Sequence, residues 1–263
     1  MTPLQDILTL LSGGLVGFSL GLIGGGGSVL AVPLLVYVVG VTDPHVAIGT
    51  SALAVAASAL FGLVTHWRWG AVKVRCAFAF ALFGVLGAAA GSTVGKLVDG
   101  QQLLALFGLA MIAIGTSIAR RPAEIGDPTV HLDMKSARRL LPRIAPTALI
   151  VGFFAGFFGI GGGFLIVPGL VFSTGMPLLN AVGSSLLSVT AFGLTTAGNY
   201  ALSGLVDWQV AAFLFVGGFA GGLMGVRISR GLAERRPALS YAFAAIVVLV
   251  GAYVVWRGLD TLV

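Results

Sequence analysis

Apolar residues fill this chain in blocks long enough to cross a hydrocarbon core of about 30 Å, separated by short polar connections. The blocks predict helices at about 45–66, 71–96 and 101–119, and again at about 178–203, 207–230 and 237–257. Ahead of each set lies a longer apolar segment, about 4–40 and 144–175, broken in the middle by a run of glycine.

The two sets are one pattern written twice. Aligning 17–33 with 152–168 gives identical residues at Gly17, Phe18, Gly21, Gly24, Gly26, Gly27, Leu30, Val32 and Pro33. After a change of one residue the register continues. Ala47-Ile48-Gly49-Thr50-Ser51 faces Ala181-Val182-Gly183-Ser184-Ser185, and Gly70, Gly84, Gly87 and Gly91 face Gly204, Gly218, Gly221 and Gly225. Between the halves, 120–143 carries Arg120, Arg121, Lys135, Arg138, Arg139 and Arg143 with Pro122, Pro128 and Pro142, and reads as a cytoplasmic surface linker. The expected organisation is a first membrane repeat at 1–119, the linker at 120–143 and a second membrane repeat at 144–263.

Composition removes the soluble classes. Hydrophobic residues make up 57% of the chain and charged residues 9%, against about a quarter charged in soluble domains, so the whole chain reads as a membrane domain. Met1 to Leu10 holds Asp6 and no Lys or Arg, so the first apolar segment is expected to stay in the mature protein rather than leave as a signal peptide. Cys76 is the only cysteine, which rules out an internal disulfide and a Cys-rich metal site. The net charge of +6 comes from basic residues in the connections, where topology places them, and does not point to nucleic acid.

Those basic residues choose between two topologies. If each Gly-broken segment crosses once, they divide poorly between the two sides. If it dips in and returns, all fifteen Lys and Arg except Lys96 and Arg257 fall on one side, the cytoplasmic one. In the returning arrangement each half ends opposite to where it began. The expected fold class is therefore an all-α integral membrane protein of two inverted-topology repeats. Each repeat has a Gly-broken, re-entrant or discontinuous, helical segment and three transmembrane helices. The pieces flanking the second break, about 144–158 and 164–175, measure only about 18–23 Å at helical rise, which fits a hairpin reaching mid-membrane.

Irregular backbone at that depth persists only when buried in protein or lining a polar cavity. The tips, Gly24, Gly25, Gly26 and Gly27 in one half and Gly159, Gly161, Gly162 and Gly163 in the other, would each start a short helix, at Ser28 and at Phe164. The free N–H groups and positive dipole ends of these helices point inward, an arrangement suited to an anion. Four consecutive glycines cost helix stability of roughly 1 kcal/mol each, more than a packing face requires. Gly84, Gly87, Gly91, Gly218, Gly221 and Gly225 are instead read as close-packing positions.

Thr50, Ser51, Ser184 and Ser185 sit at equivalent places after the breaks and are candidate hydroxyl donors to the anion, with helix capping or back-bonding as the alternative. Asn199 is a further candidate for substrate binding, and His66, which aligns with Tyr200, is a candidate for proton coupling. Asp43, His45 and Asp207 fall in connections, where solvated roles are expected. No HExxH, GxSxG or paired intramembrane Asp is present, so an enzyme is not expected, nor a metal or other cofactor.

With Gly-Leu-Ile-Gly-Gly-Gly-Gly-Ser, Val-Pro and Gly-Thr-Ser in one half and Gly-Phe-Phe-Gly-Ile-Gly-Gly-Gly, Val-Pro and Gly-Ser-Ser in the other, the chain resembles the TauE/SafE family of membrane transporters over nearly its whole length. The resemblance implies transport of a small sulfur-containing anion, sulfite or an organosulfonate, by a multi-pass protein of the cell (inner) membrane whose partners are that anion and the lipid bilayer. Gly24 to Gly27 departs from the family's Gly-x-Gly-Gly-Gly form in the first half. A passive anion channel and a non-transporting membrane receptor or assembly factor are the alternative readings.

Overall fold

The computed structural model describes residues 2–23, 25–68, 70, 72–120, 134–161, 163–231 and 236–260. Among them there is no β-strand. The helices are α1 (Pro3–Ile23), α2 (Ala31–Pro33), α3 (Pro44–Arg68), α4 (Val74–Gly95), α5 (Gly100–Arg120), α6 (Met134–Phe158), α7 (Gly163–Thr174), α8 (Leu178–Ala201), α9 (Trp208–Gly231) and α10 (Arg236–Asp260). Seven of these helices are long and apolar enough to cross a membrane, and large apolar side chains such as Leu86, Leu97 and Phe172 face outward from the bundle. The chain is a multi-pass membrane protein.

Both Gly breaks are hairpins. After Ile23 the chain turns back on α1 so closely that a Cβ on Gly27 would strike the backbone of Ser19 and Leu20. It then descends as a 3-10 stretch (Gly25–Leu30), the single turn α2 and a π-helical stretch (Leu34–Val39). The equivalent arm in the other half, α7, is a continuous α-helix with Pro168 inside it, so the proline that both arms share does not by itself set the winding. The return arm of the first hairpin ends level with the start of α1, where Gln5 Nε2 donates to Val39 O at 3.5 Å. Gly40, at φ 84, closes it.

In the second hairpin α7 runs back along α6, with Gly169 beside Thr147 and Val151. Here the first arm is longer than its sequence suggests. α6 begins at Met134, inside the stretch read as linker, and Leu140–Phe158 alone is long enough to span. Only the return arm, α7, is short. Lys135, Arg138, Arg139 and Arg143 therefore lie on the first turns of a membrane helix, and residues 121–133 lie outside the described part of the chain.

Packing pairs one half with the other. α1 lies along α9 and α4 along α6, both parallel, while α3 lies along α8 and α5 along α10, both antiparallel. α1 and α6 are equivalent in the repeat, as are α4 and α9, so these pairings exchange when the halves are exchanged. Glycine makes the parallel contacts possible. A Cβ on Gly13, Gly17 or Gly21 would meet the α9 backbone at Leu214, Gly218 or Gly222, and one on Gly87, Gly91 or Gly152 would meet backbone across the α4–α6 seam. Of the glycines read as close-packing positions, Gly87, Gly91 and Gly221 meet backbone across a seam in this way, whereas a Cβ on Gly84 would strike the Phe192 ring and one on Gly218 the Ser58 hydroxyl.

Candidate functional site

The centre of the molecule is where the second hairpin meets the α3–α8 pair. α6 ends in a Schellman turn: Ile160 N–H donates to Ala155 O and Gly159 N–H to Gly156 O, both at 3.2 Å, with Gly159 at φ 67. A Cβ on Gly159 would strike the Ile48 side chain of α3. Two residues on, Gly161, at φ 64, sits between Val55 and Val189, with its Cβ direction 3.4 Å and 3.3 Å from their Cγ1 atoms. Val55 and Val189 are equivalent in the repeat and lie near the middle of α3 and α8. The tip is thus held at mid-bundle, and α7 starts from it at Gly163.

The first hairpin reaches the same region. Val29 and Val32 from its return arm share one buried cluster with Phe158, Ile160 and Phe164 around the second tip, closed on the outside by Leu103, Phe107 and Met111 of α5 and Val247 and Val254 of α10. Ser28 is fully buried beside Gly27. Gly25 and Gly26 fall in the 3-10 stretch, whereas Gly24 and Gly162 lie outside the described residues.

The candidate hydroxyls are not gathered at one point. Thr50 and Ser184 are each fully buried and each bonded across the repeat boundary. Thr50 Oγ1 accepts from Asp207 N, and Ser184 Oγ accepts from Lys73 N, both at 2.9 Å. Since Asp207 and Lys73 are themselves equivalent positions, this is one bond made twice, at opposite ends of the α3–α8 pair. Ser51 and Ser185 donate to their own helices, to Ile48 O at 3.0 Å and Val182 O at 2.8 Å. Ser185, Val189 and Thr196 share a face of α8, and that face is the one laid against Gly161. Thr196, which the sequence reading passed over, has a fully buried Oγ1 without a hydrogen-bond partner.

Asn199 and His66 are placed at opposite ends. His66 is buried in the last turns of α3, with Nδ1 and Gly62 O 3.0 Å apart, and borders a crevice of about 30 Å³ with Gly17, Gly21, Ser58 and Thr65. Asn199 instead joins α8 to the end of α4. Its Nδ2 donates to Ser92 Oγ at 2.7 Å and Thr93 Oγ1 at 3.0 Å, and Lys96 Nζ donates to its Oδ1 at 2.8 Å. No group of three or more His, Cys, Asp or Glu side chains is placed to hold a metal ion among the described residues. Asp207, Asp43 and Asp99 cap α9, α3 and α5 through backbone N–H groups.

Comparison with known proteins covers this whole arrangement. The family described as sulfite exporter TauE/SafE matches residues 9–254. A probable membrane transporter protein of Xylella fastidiosa (strain 9a5c) is 50% identical over 263 residues, all of both chains. The probable membrane transporter protein YunE of Bacillus subtilis (strain 168) is 27% identical over 270 residues, 94% of this chain and 96% of that one. The probable membrane transporter protein MJ0441 of Methanocaldococcus jannaschii is 29% identical over 208 residues, 75% and 71% of the two chains.

Proposed function

The chain belongs to the sulfite exporter TauE/SafE family of membrane transporters, and from that premise we propose that it is a secondary transporter of a small anion, sulfite or an organosulfonate. The anion is held where the two hairpin tips approach α3 and α8, and the two halves, as inverted repeats, move against each other to expose it to one side at a time. The observation that carries this reading is the seat of Gly161 between Val55 and Val189, which sets the N-terminal end of α7 at mid-bundle, beside a return arm from the other half. Free N–H groups and a positive dipole end at that depth favour an anion over a cation.

Antiparallel packing of the equivalent helices α3 and α8, and of α5 and α10, supports inversion, because repeats related by an axis along the membrane normal would run parallel. The exchange of the α1–α9 and α4–α6 contacts supports alternation, since the two seams can trade roles. Thr50 and Ser184 serve in this reading as brackets between the halves, leaving Thr196 and the tip backbone as the groups nearest the anion.

The test is flux of radiolabelled sulfite and of a small sulfonate into proteoliposomes, with and without an imposed pH gradient. Accumulation against the gradient is the expected result. Equilibration without accumulation would identify a passive channel, and binding without flux a receptor.

A further inference from the structure

The two halves differ where one side chain faces a glycine. Ser58 of α3 and Phe192 of α8 are equivalent in the repeat, and so are the glycines opposite them, Gly218 of α9 and Gly84 of α4. A Cβ on Gly218 would lie 2.7 Å from Ser58 Oγ, whereas one on Gly84 would strike the far end of the Phe192 ring, at Cζ. We propose that these two places are the half-paths by which solute reaches the hairpin tips, one from each face of the membrane, and that Phe192 is the gate that closes the outer one. This rests on the transporter reading above and adds to it the route and the residue that controls it.

On the α3 side the smaller residue leaves space. The crevice of about 30 Å³, room for about one water, is lined by Ser58, Gly62 and His66 of α3, Gly17 and Gly21 of α1 and Gly218 of α9. Leu20, also on its wall, carries it to the first hairpin tip, because Gly27 turns back against the Leu20 backbone. Ser58 and Gly62 are half-buried, while Phe192 and Thr196, their equivalents, are buried. α3 ends and α8 begins at the face where the basic residues gather, so the crevice belongs to the cytoplasmic side and the Phe192 seam to the outer one.

The α8 side is the same frame with its space filled. A Cβ on Gly152 of α6 would meet Gly84 of α4 as one on Gly17 would meet Gly218, so the helices approach as closely. Phe192 is fully buried and stacks on Phe80 of α4, with ring centroids 6.4 Å apart. The hydroxyls beside the ring distinguish this seam from ordinary core. Ser188 and Thr196 stand one turn before and one turn after Phe192, and neither buried hydroxyl has a hydrogen-bond partner. Thr190 and Thr195 on the same helix bond back to Leu186 O and Ala191 O, and Ser58 on α3 bonds back to Ala54 O, each at 2.8–2.9 Å. An unbonded hydroxyl at membrane depth costs free energy until something meets it. Thr196 occupies the position that Gly62 holds on the crevice wall, and with the ring turned aside, water and the passing anion supply the missing partners.

The experiment reads cysteine reactivity in the full-length protein, in a Cys76→Ala background, with a membrane-impermeant anionic methanethiosulfonate. Thr65→Cys, on the crevice wall, should react from the cytoplasmic side in inside-out vesicles. Thr196→Cys should react slowly from the outer side of intact cells, and adding Phe192→Ser should raise that rate about tenfold or more, since the rate follows the fraction of time the path is open. Ser58→Phe, which places a ring in the other half-path, should lower the rate at Thr65→Cys by a similar factor and carries the test if Phe192→Ser does not fold. An unchanged rate at Thr196→Cys beside a folded Phe192→Ser, or an unreactive Thr65→Cys, would overturn the proposal and make Phe192 a packing residue. Flux separates the gate from the transporter reading. Where wild type accumulates sulfite in proteoliposomes, Phe192→Ser should only equilibrate it, and accumulation equal to wild type would refute the gate. Wild type that shows the expected labelling without flux would refute the transporter reading and leave the gated path standing.

Discussion

Thr50 Oγ1 accepts a hydrogen bond from the backbone N–H of Asp207 at 2.9 Å, tying the second turn of α3 to the residue that caps α9. The bond joins residues 157 positions apart, and the other half repeats it with Ser184 and Lys73. Removing the acceptor leaves a backbone donor without its partner. Thr50→Val should therefore lower stability by about 1–3 kcal/mol, with Thr50→Ser close to wild type. The measurement is the unfolding midpoint in detergent. A full-strength midpoint combined with weakened anion binding would instead make Thr50 a ligand.

The hairpin tip makes a second, sharper case. Gly159 and Gly161 both have positive φ, so an alanine at either is strained by about 1–2 kcal/mol before any contact is considered. Only Gly159 adds a collision, with the Ile48 side chain, whereas Gly161 meets Val189 and Val55 at 3.3 Å and 3.4 Å. Gly159→Ala should thus be the less stable variant and should recover in part when combined with Ile48→Ala. Gly161→Ala should fold and lose flux. Equal losses of stability at the two positions would count against this geometry, and full flux in Gly161→Ala would remove the tip from the site.

Much of this was legible in the sequence because glycine carries the information. The duplicated runs marked both hairpins, and the charge distribution chose the returning path that the Gln5–Val39 contact bears out. The start of α6 was not legible. Pro142 and the arginines around it suggest a linker, yet a membrane helix continues past the apolar boundary with polar first turns, and α6 holds both Pro142 and Pro146 inside it. The site was legible only as far as its backbone. Thr50, Ser51, Ser184 and Ser185 share a motif, but their partners are the residues just ahead of other helices or their own helix backbone. The Lys96–Asn199 contact spans 103 residues and leaves no local pattern. Its one trace in the sequence is a basic residue on the side where few others fall.

Helical glycines divide into two kinds with opposite predicted effects. Gly17 on α1 and Gly152 on α6 are equivalent, and a Cβ on either meets a backbone carbonyl, of Gly218 and of Gly84. Leucine at either position should prevent assembly, seen as loss of the monodisperse peak in fluorescence-detected gel filtration. Gly198 on α8 has open space around it, so Gly198→Ala should be neutral or stabilising by about 0.5–1 kcal/mol through helix propensity alone. A damaging Gly198→Ala would mean that a partner covers this face.

The returning hairpins make a prediction about sides that does not depend on substrate. Cys76 is the only cysteine and is buried, so a Cys76→Ala background leaves nothing native to label. Single cysteines at Thr2 and Thr42 flank the first hairpin, and those at Arg143 and Leu178 flank the second. With a membrane-impermeant maleimide on intact cells, Thr2→Cys and Thr42→Cys should be labelled together, while Arg143→Cys and Leu178→Cys should react only after permeabilisation. That assignment follows from the excess of basic residues at the α6 end. Labelling of Thr2→Cys and Thr42→Cys from opposite sides would show that the first Gly-broken segment crosses, which is incompatible with Gln5 meeting Val39. If both pairs labelled from one side, the hairpins would stand and the inversion of the repeats would fall.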